Sequence, residues 1–228
     1  MCVFMSLVRV RYRKGRSVRF ISHLDTARAL RRALNRAGVA VAFSQGFSPR
    51  PKISFGPPLA VGHLSETEYV DIAVAEPMVA EQLAERLNAT LPAGMDVMWA
   101  GKVPAGSPSI SAAITELEYT VALHSSDVSG GEEALRNLHH ALERYRAVET
   151  LVVERERKGR IQRFDLKQQV PVLDMNSGAQ GVEFVVRISV SKGGFPKPEE
   201  VVRAVFGLDE EQMKGAVITR TDVGFGSA

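Results

Sequence analysis

The residues best suited to recognise a ligand lie in a Pro/Gly-rich segment, residues 43–58. Its polar, cationic and aromatic side chains are Gln45, Phe47, Ser48, Arg50 and Lys52. Aromatic side chains interleaved with basic ones can stack on unpaired bases and contact phosphates. Prolines stiffen such a segment, so it loses less conformational entropy on binding. The pattern therefore predicts a recognition loop, with RNA or a small phosphorylated or carboxylated ligand as its target.

This segment lies in the most basic third of the chain. Residues 1–63 contain 12 Lys/Arg and one acid, residues 64–150 contain 5 and 14, and residues 151–228 contain 12 and 11. The three net charges, +11, −9 and +1, give the overall +3. A concentrated positive field commonly faces phosphates or an acidic protein surface. Glu66 and Glu68 open the acidic part, and we expect both on an exposed strand edge.

Arginines recur along one predicted helix. Arg28, Arg32 and Arg36 are four residues apart, and Arg31 lies beside them. This spacing puts them on the polar side of a helix, where each guanidinium could bind one phosphate. The alternative is a solvated helix face, although such faces usually mix glutamate with arginine.

The chain offers few residues for catalysis or for holding a metal. The start of a helix favours a neutral imidazole at His23, which could act as a general base with Lys52 stabilising charge, or could simply bond a neighbouring carbonyl. The histidines show no metal-binding spacing, and the single cysteine, Cys2, excludes a thiolate-ligated cluster within this chain. We therefore predict no cofactor, no metal and no catalytic activity of its own.

Hydrophobic periodicity predicts an α+β fold. In the first half it indicates strands at 7–12, 39–43, 68–75 and 95–100 and helices at 22–37 and 77–91. In the second half it indicates strands at 117–123, 151–156, 183–190 and 216–221 and helices at 131–146 and 198–206. The β-α-β-β-α-β order is typical of the ferredoxin-like fold. The sequence thus predicts two tandem ferredoxin-like halves with antiparallel sheets, residues 1–103 and 112–228.

A second basic segment connects two predicted strands of the second half. It contains Arg155, Arg157, Lys158, Arg160, Arg163 and Lys167. We expect Lys158 and Arg160 to contact nucleic acid, and the two basic connections would form one groove if they lay on the same side. The alternative is an ordinary solvated hairpin.

Long motifs in the chain resemble those of the radical-SAM-linked protein family. They are residues 19–25 (Arg-Phe-Ile-Ser-His-Leu-Asp) and 43–59, supported by residues 62–66, Asp71 and the later Phe164-Asp165-Leu166. The resemblance covers essentially the whole chain and is strongest over residues 9–75. It implies a domain of unknown function encoded beside, or fused to, radical SAM enzymes.

The resemblance and the charge together predict an accessory module that presents tRNA or ribosomal RNA to a partner radical SAM enzyme. Such an enzyme needs three cysteines for its cluster, so this chain would not be the radical catalyst. The first alternative is a metal-independent endoribonuclease resembling CRISPR repeat-processing enzymes, and the second is a pure protein-interaction domain. The lack of a long apolar run and the single cysteine predict a cytoplasmic protein with no membrane span.

Overall fold

The computed structural model describes residues 6–126, 131–157 and 159–226. The fold is mixed α+β, with strand pairs that are antiparallel wherever their direction is defined. Contacts divide the chain into two compact units, Met1–Ile114 with Gly226–Ala228 (unit 1) and Thr115–Phe225 (unit 2). None of the helices in the described ranges is both long enough and apolar enough to cross a membrane.

Unit 1 has the predicted β-α-β-β-α-β order, but its second strand is residues 53–55 and not residues 39–43. Its elements are β1 (Ser6–Lys14), α1 (His23–Arg36), β2 (Ile53–Phe55), β3 (Leu64–Val74), α2 (Ala80–Asn88), β4 (Met95–Lys102) and the short α3 (Ile110–Ala113). Its strands lie side by side in the order β4-β1-β3-β2, and each neighbouring pair is antiparallel.

The two faces of this sheet have different environments because side chains alternate along β1 and β3. Val8 on β1 and Ile72 on β3 belong to the hydrophobic core, together with Leu30 and Leu34 of α1. The intervening side chains point to the opposite face. Arg9 and Asp71 meet there as a directly opposed cross-strand pair.

A serine caps the start of α1. Ser22 is the N-cap, and its Oγ accepts a hydrogen bond from the Asp25 backbone N–H at 3.2 Å. The Ser22 hydroxyl also donates to the Asp25 carboxylate at 2.6 Å. The cap fixes the direction in which α1 leaves the turn after β1.

Two predictions for unit 1 are wrong. Residues 39–43 do not form a strand and make only two isolated bridges, Val41 with Val74 and Phe43 with Pro51. Glu68 is buried, not exposed on a strand edge, because β3 is an inner strand. Glu66 is exposed as expected.

Unit 2 contributes four sheet strands and a separate hairpin. Its elements are β5 (Ile114–His124), α4 (Gly131–Ala147), β6 (Val152–Arg157), β7 (Arg160–Asp165), α5 (Leu166–Gln169), β8 (Val172–Gly178), β9 (Gly181–Ser189), α6 (Pro198–Phe206), α7 (Glu210–Lys214) and β10 (Val217–Phe225). The sheet order is β10-β5-β9-β8, whereas β6 and β7 pair only with each other. The predicted strand at 151–156 is therefore one arm of this hairpin and not a strand of the sheet.

A buried lysine holds the turn between β1 and α1. Lys14 is 3% exposed, and its Nζ donates to the backbone carbonyls of Arg19 at 3.0 Å and Ile21 at 3.1 Å. Burial lowers the pKa of this ammonium, an effect that the nearby Glu68 carboxylate opposes. The folded protein therefore releases the Lys14 proton at a lower pH than the unfolded chain does.

This difference predicts a pH-dependent effect of Lys14→Met. Just below the ordinary lysine pKa of about 10.4, the unfolded chain binds more protons at this residue, so the Lys14 contribution to the free energy of unfolding rises with pH. Below that window the contribution is constant. We expect the slope of the free energy of unfolding against pH, measured with urea, to differ between the wild type and Lys14→Met only within this alkaline window. The exposed Lys102→Met should keep the wild-type slope, and an unchanged slope in Lys14→Met would contradict the prediction.

Candidate nucleic-acid interface

The recognition loop is shorter than the predicted segment 43–58, because residues 53–55 form β2; it comprises residues 44–50 and is closed at its base by three contacts. The Ser44 backbone N–H donates to the Arg50 carbonyl at 2.8 Å, and the Arg50 N–H donates back to Ser44 Oγ at 3.0 Å. The bridge between Phe43 and Pro51 lies directly below. The loop is thus a fixed projection from the sheet, as its prolines predict.

The tip of this loop presents the predicted recognition residues to solvent. Gln45, Ser48 and Arg50 are exposed, and the Phe47 ring is fully exposed. Gly46 has φ of +127°, which side chains disfavour, so a glycine is needed next to Phe47. An aromatic ring held in water next to a guanidinium is an arrangement suited to stacking on a base beside a phosphate.

A pocket of about 380 Å³ adjoins the loop on the sheet face opposite to the helices. It is lined by Leu7, Pro51, Lys52, Ile53, Ser54, Asp71, Ala73 and Ser109. Lys52 joins the loop to the pocket, and its backbone is fixed by hydrogen bonds to Ala42 (2.8 Å) and Ala73 (3.0 Å). The predicted loop residues therefore border a cavity that the sequence did not predict.

A buried ion pair forms the floor of this pocket. Asp71 is 2% exposed, and its two carboxylate oxygens accept from Arg9 Nε at 2.8 Å and Arg9 Nη2 at 3.0 Å. The Ile110 backbone N–H also donates to Asp71, at 3.2 Å. The pair connects β1, β3 and α3, and Ser54 on β2 lies opposite Asp71 in the strand register.

The arginines of α1 have unequal environments. Arg28 is ion-paired with Asp25 at 2.9 Å, and Arg36 donates to the Thr90 carbonyl at the end of α2. A hydrogen bond from Ser22 and, to a smaller extent, one from Arg28 lower the pKa of Asp25. Within the described ranges, the exposed Arg31 and Arg32 side chains make no ion pair or hydrogen bond.

This arginine surface and the pocket lie on opposite faces of the unit 1 sheet. The buried side of α1 packs on Val8 and Ile72, so its arginines point away from the sheet on the helix side. Leu7 and Asp71 point to the other side and line the pocket. A single bound RNA segment would have to pass around the sheet edge to reach both.

The candidate acid–base pair is not brought together. His23 packs edge-on against Phe55, with ring centroids 5.2 Å apart, next to the helix-covered core. Lys52 lines the pocket on the opposite face. Among the residues that the structure describes, no group of three His, Cys, Asp or Glu side chains is placed to hold a metal ion.

The basic hairpin of unit 2 offers fewer accessible cations than predicted. Lys158 lies outside the described residues, and Arg160 is exposed. Arg155 is engaged by Glu200 and by the Phe195 carbonyl (3.2 Å), and Arg163 pairs with Glu154 at 2.7 Å. Of the two predicted contact residues here, Arg160 remains as the described candidate.

The Phe164-Asp165-Leu166 motif has a structural role. Phe164 and Leu166 are buried, and the Arg155 guanidinium lies 4.8 Å from the centre of the Phe164 ring. Asp165 caps α5 by accepting from the Lys167 backbone N–H at 3.0 Å. The motif therefore anchors the hairpin to unit 2.

Comparison with known proteins identifies the family. The family model for an uncharacterized protein conserved in bacteria, DUF2344, matches residues 8–197. The chain belongs to this family. The DUF2344 match includes most of β1, the recognition loop, the β6–β7 hairpin and all the pocket-lining residues except Leu7. No curated protein matches the chain.

A solved structure of unknown function from Galdieria sulphuraria is also similar to this DUF2344 protein. It shares 13% sequence identity, covers 98% of this chain and 100% of its own, and has a TM-score of 0.28. A TM-score this low does not support a conclusion about the fold or the site.

The sequence pattern missed the pocket and its floor. The alternation of side chains along β1 and β3 puts Arg9 and Asp71 on the polar side of their strands. This alternation is the sequence signal that could have indicated the ion pair. Their direct opposition depends on the strand register, and register is set by tertiary packing that one sequence does not reveal.

Removing the carboxylate from this pair should destabilise unit 1 strongly. Asp71→Ala leaves a largely buried guanidinium without its partner, and we expect a loss of about 3 kcal/mol in the free energy of unfolding. Asp96→Ala, which breaks the exposed Arg13 pair (2.7 Å), should have little effect. Urea unfolding of both variants checks this, and equal effects would contradict the role assigned to Asp71.

Proposed function

We propose that this protein is an RNA-binding accessory module that presents tRNA or ribosomal RNA to a partner radical SAM enzyme. The observation that carries the proposal is the fully exposed Phe47 ring beside the exposed Arg50 on a closed, stiff loop. Leaving a phenylalanine side chain in water forgoes about 1.5–3 kcal/mol of burial. A bound base stacked on the ring would recover part of that free energy.

The rest of the basic surface would supply sequence-independent affinity. Arg31, Arg32, Arg50 and Lys52 contribute to a field of +11 over residues 1–63, and Arg160 adds a cation in unit 2. Arg28 would contribute less, because Asp25 already pairs with it. Each guanidinium that neutralises a phosphate releases counterions, so binding should weaken as salt rises.

The radical SAM partner and the detailed fold are parts of the same proposal. The resemblance of residues 19–25 and 43–59 to the radical-SAM-linked family supports the partner, and the single cysteine leaves cluster ligation to it. Both units place their sheet strands in the order fourth-first-third-second, with the β6–β7 hairpin as an addition in unit 2. This order supports the interpretation of each unit as a ferredoxin-like half.

The proposal predicts that Phe47→Ala weakens RNA binding. Loss of one stacked base costs about 1–3 kcal/mol, which is a roughly 5- to 150-fold weaker Kd. Fluorescence anisotropy with labelled tRNA and a labelled short single-stranded RNA measures this. Phe20→Ala is the matched control, since Phe20 is also highly exposed in unit 1 but is not in the loop.

The salt dependence separates phosphate contact from stacking. Arg50→Ala should reduce the slope of log K against log salt by about one, whereas Phe47→Ala should leave the slope unchanged. Arg136→Ala, an exposed arginine on α4, is the charge-matched control. Weak RNA binding that does not change with salt or with either loop substitution would contradict the proposal. Metal-independent RNA cleavage lost in His23→Ala would favour the endoribonuclease alternative instead.

A further inference from the structure

We propose that the pocket beside the recognition loop binds one unpaired nucleotide whose base carries an exocyclic amino group. This inference rests on the proposed RNA-binding function. It goes beyond that function because it assigns a preference for particular bases, which stacking and phosphate contacts do not provide. It follows from the size, lining and position of the pocket.

The pocket has the dimensions and walls for a planar ring. Its volume of about 380 Å³ falls within the range of small-molecule sites, about 300–1,000 Å³. Leu7, Ala73 and Pro51 supply apolar surface for the faces of a base. Polar atoms at a few fixed positions then determine which base edge is accepted.

Asp71 determines the chemistry of that edge. An ionised carboxylate has about four acceptor positions, and three hydrogen bonds from Arg9 and the Ile110 N–H leave one for a ligand. A carboxylate accepts an exocyclic N–H₂ from adenine, cytosine or guanine. Uracil presents its N–H between two carbonyl oxygens, which the carboxylate repels.

Hydroxyl groups and a cation complete the site. Ser54 and Ser109 line the same pocket and can each donate or accept a hydrogen bond. Lys52 lies where the pocket meets the loop, so it is placed for the phosphate of the inserted nucleotide. Phe47 and Arg50 are then left for the neighbouring nucleotide.

The test blocks the pocket without touching the loop. Ser109→Trp places a large side chain at the lining, and because Ser109 is exposed the fold should tolerate it. Ser111→Trp is the matched control, since Ser111 is exposed, lies outside the lining and shares the same hydroxyl contact of 3.2 Å with Ser109. The probes are a labelled oligouridine and the same oligomer with one central adenosine or cytidine.

The wild type and Ser111→Trp should bind the substituted oligomers about tenfold more tightly than the oligouridine. Ser109→Trp should lose that preference and keep the wild-type salt slope, because its phosphate contacts remain. Equal affinity for all oligomers in the wild type, or a preference that survives Ser109→Trp, would overturn the inference while leaving RNA binding intact.

Failure of the proposed function is a separate result. If no oligomer binds in a salt-dependent manner, ligand-observed NMR with CMP and UMP tests the pocket directly. CMP binding that exceeds UMP binding and disappears in Ser109→Trp would support the pocket assignment. Absence of CMP binding would overturn it.

Discussion

The buried ion pair between Arg9 and Asp71 is the contact on which the unit 1 architecture depends. Two charges removed from water are stable only when their geometry is good and their remaining hydrogen-bonding positions are filled. The two parallel hydrogen bonds, at 2.8 and 3.0 Å, and the third from Ile110 meet that condition. The pair joins β1 to β3, and its Asp71 bonds the first residue of α3. It thereby sets both the floor and one wall of the pocket.

The recognition loop is held rigidly at its base, while the side chains at its tip are exposed. The segment before the loop is bonded to the end of β3, and Lys52 is bonded through its backbone to Ala42 and Ala73. The loop can therefore hold Phe47 in water without a collapse onto the sheet. A loop whose backbone ends are fixed in this way loses less entropy when a ligand stacks on Phe47. Lys14 does the same for the turn before α1, where it bonds two carbonyls at once.

Local signals in the sequence predicted local structure well. The helix predicted at residues 22–37 agrees with α1, because helical periodicity depends on residues within one or two turns of each other. The exposed tip of the loop also follows from its composition. Burial of Glu68 was missed because the sequence does not show that β3 is an inner strand, and Glu66 differs from Glu68 because β1 and β3 shift register between Tyr12 and Lys14.

Features that depend on long-range pairing were not accessible from one sequence. The pocket joins Leu7, Asp71 and Ser109, which are distant in the chain and meet through strand register and the position of α3. In unit 2 the periodicity of residues 151–156 correctly predicts a strand. The pattern alone does not show which other strand these residues pair with. The charges of the hairpin were likewise visible, whereas the pairing of Arg155 and Arg163 was not.

The most direct test of the central claim is photo-cross-linking of the full-length protein to a single-stranded RNA that contains 5-iodouridine, with the cross-linked peptide mapped by mass spectrometry. Iodouridine reacts preferentially with an aromatic ring on which it stacks. We predict a cross-link at Phe47 that is lost when Phe47 is replaced by alanine and retained when Phe20 is replaced by alanine. Cross-links confined to other aromatic residues, or none at all, would contradict it.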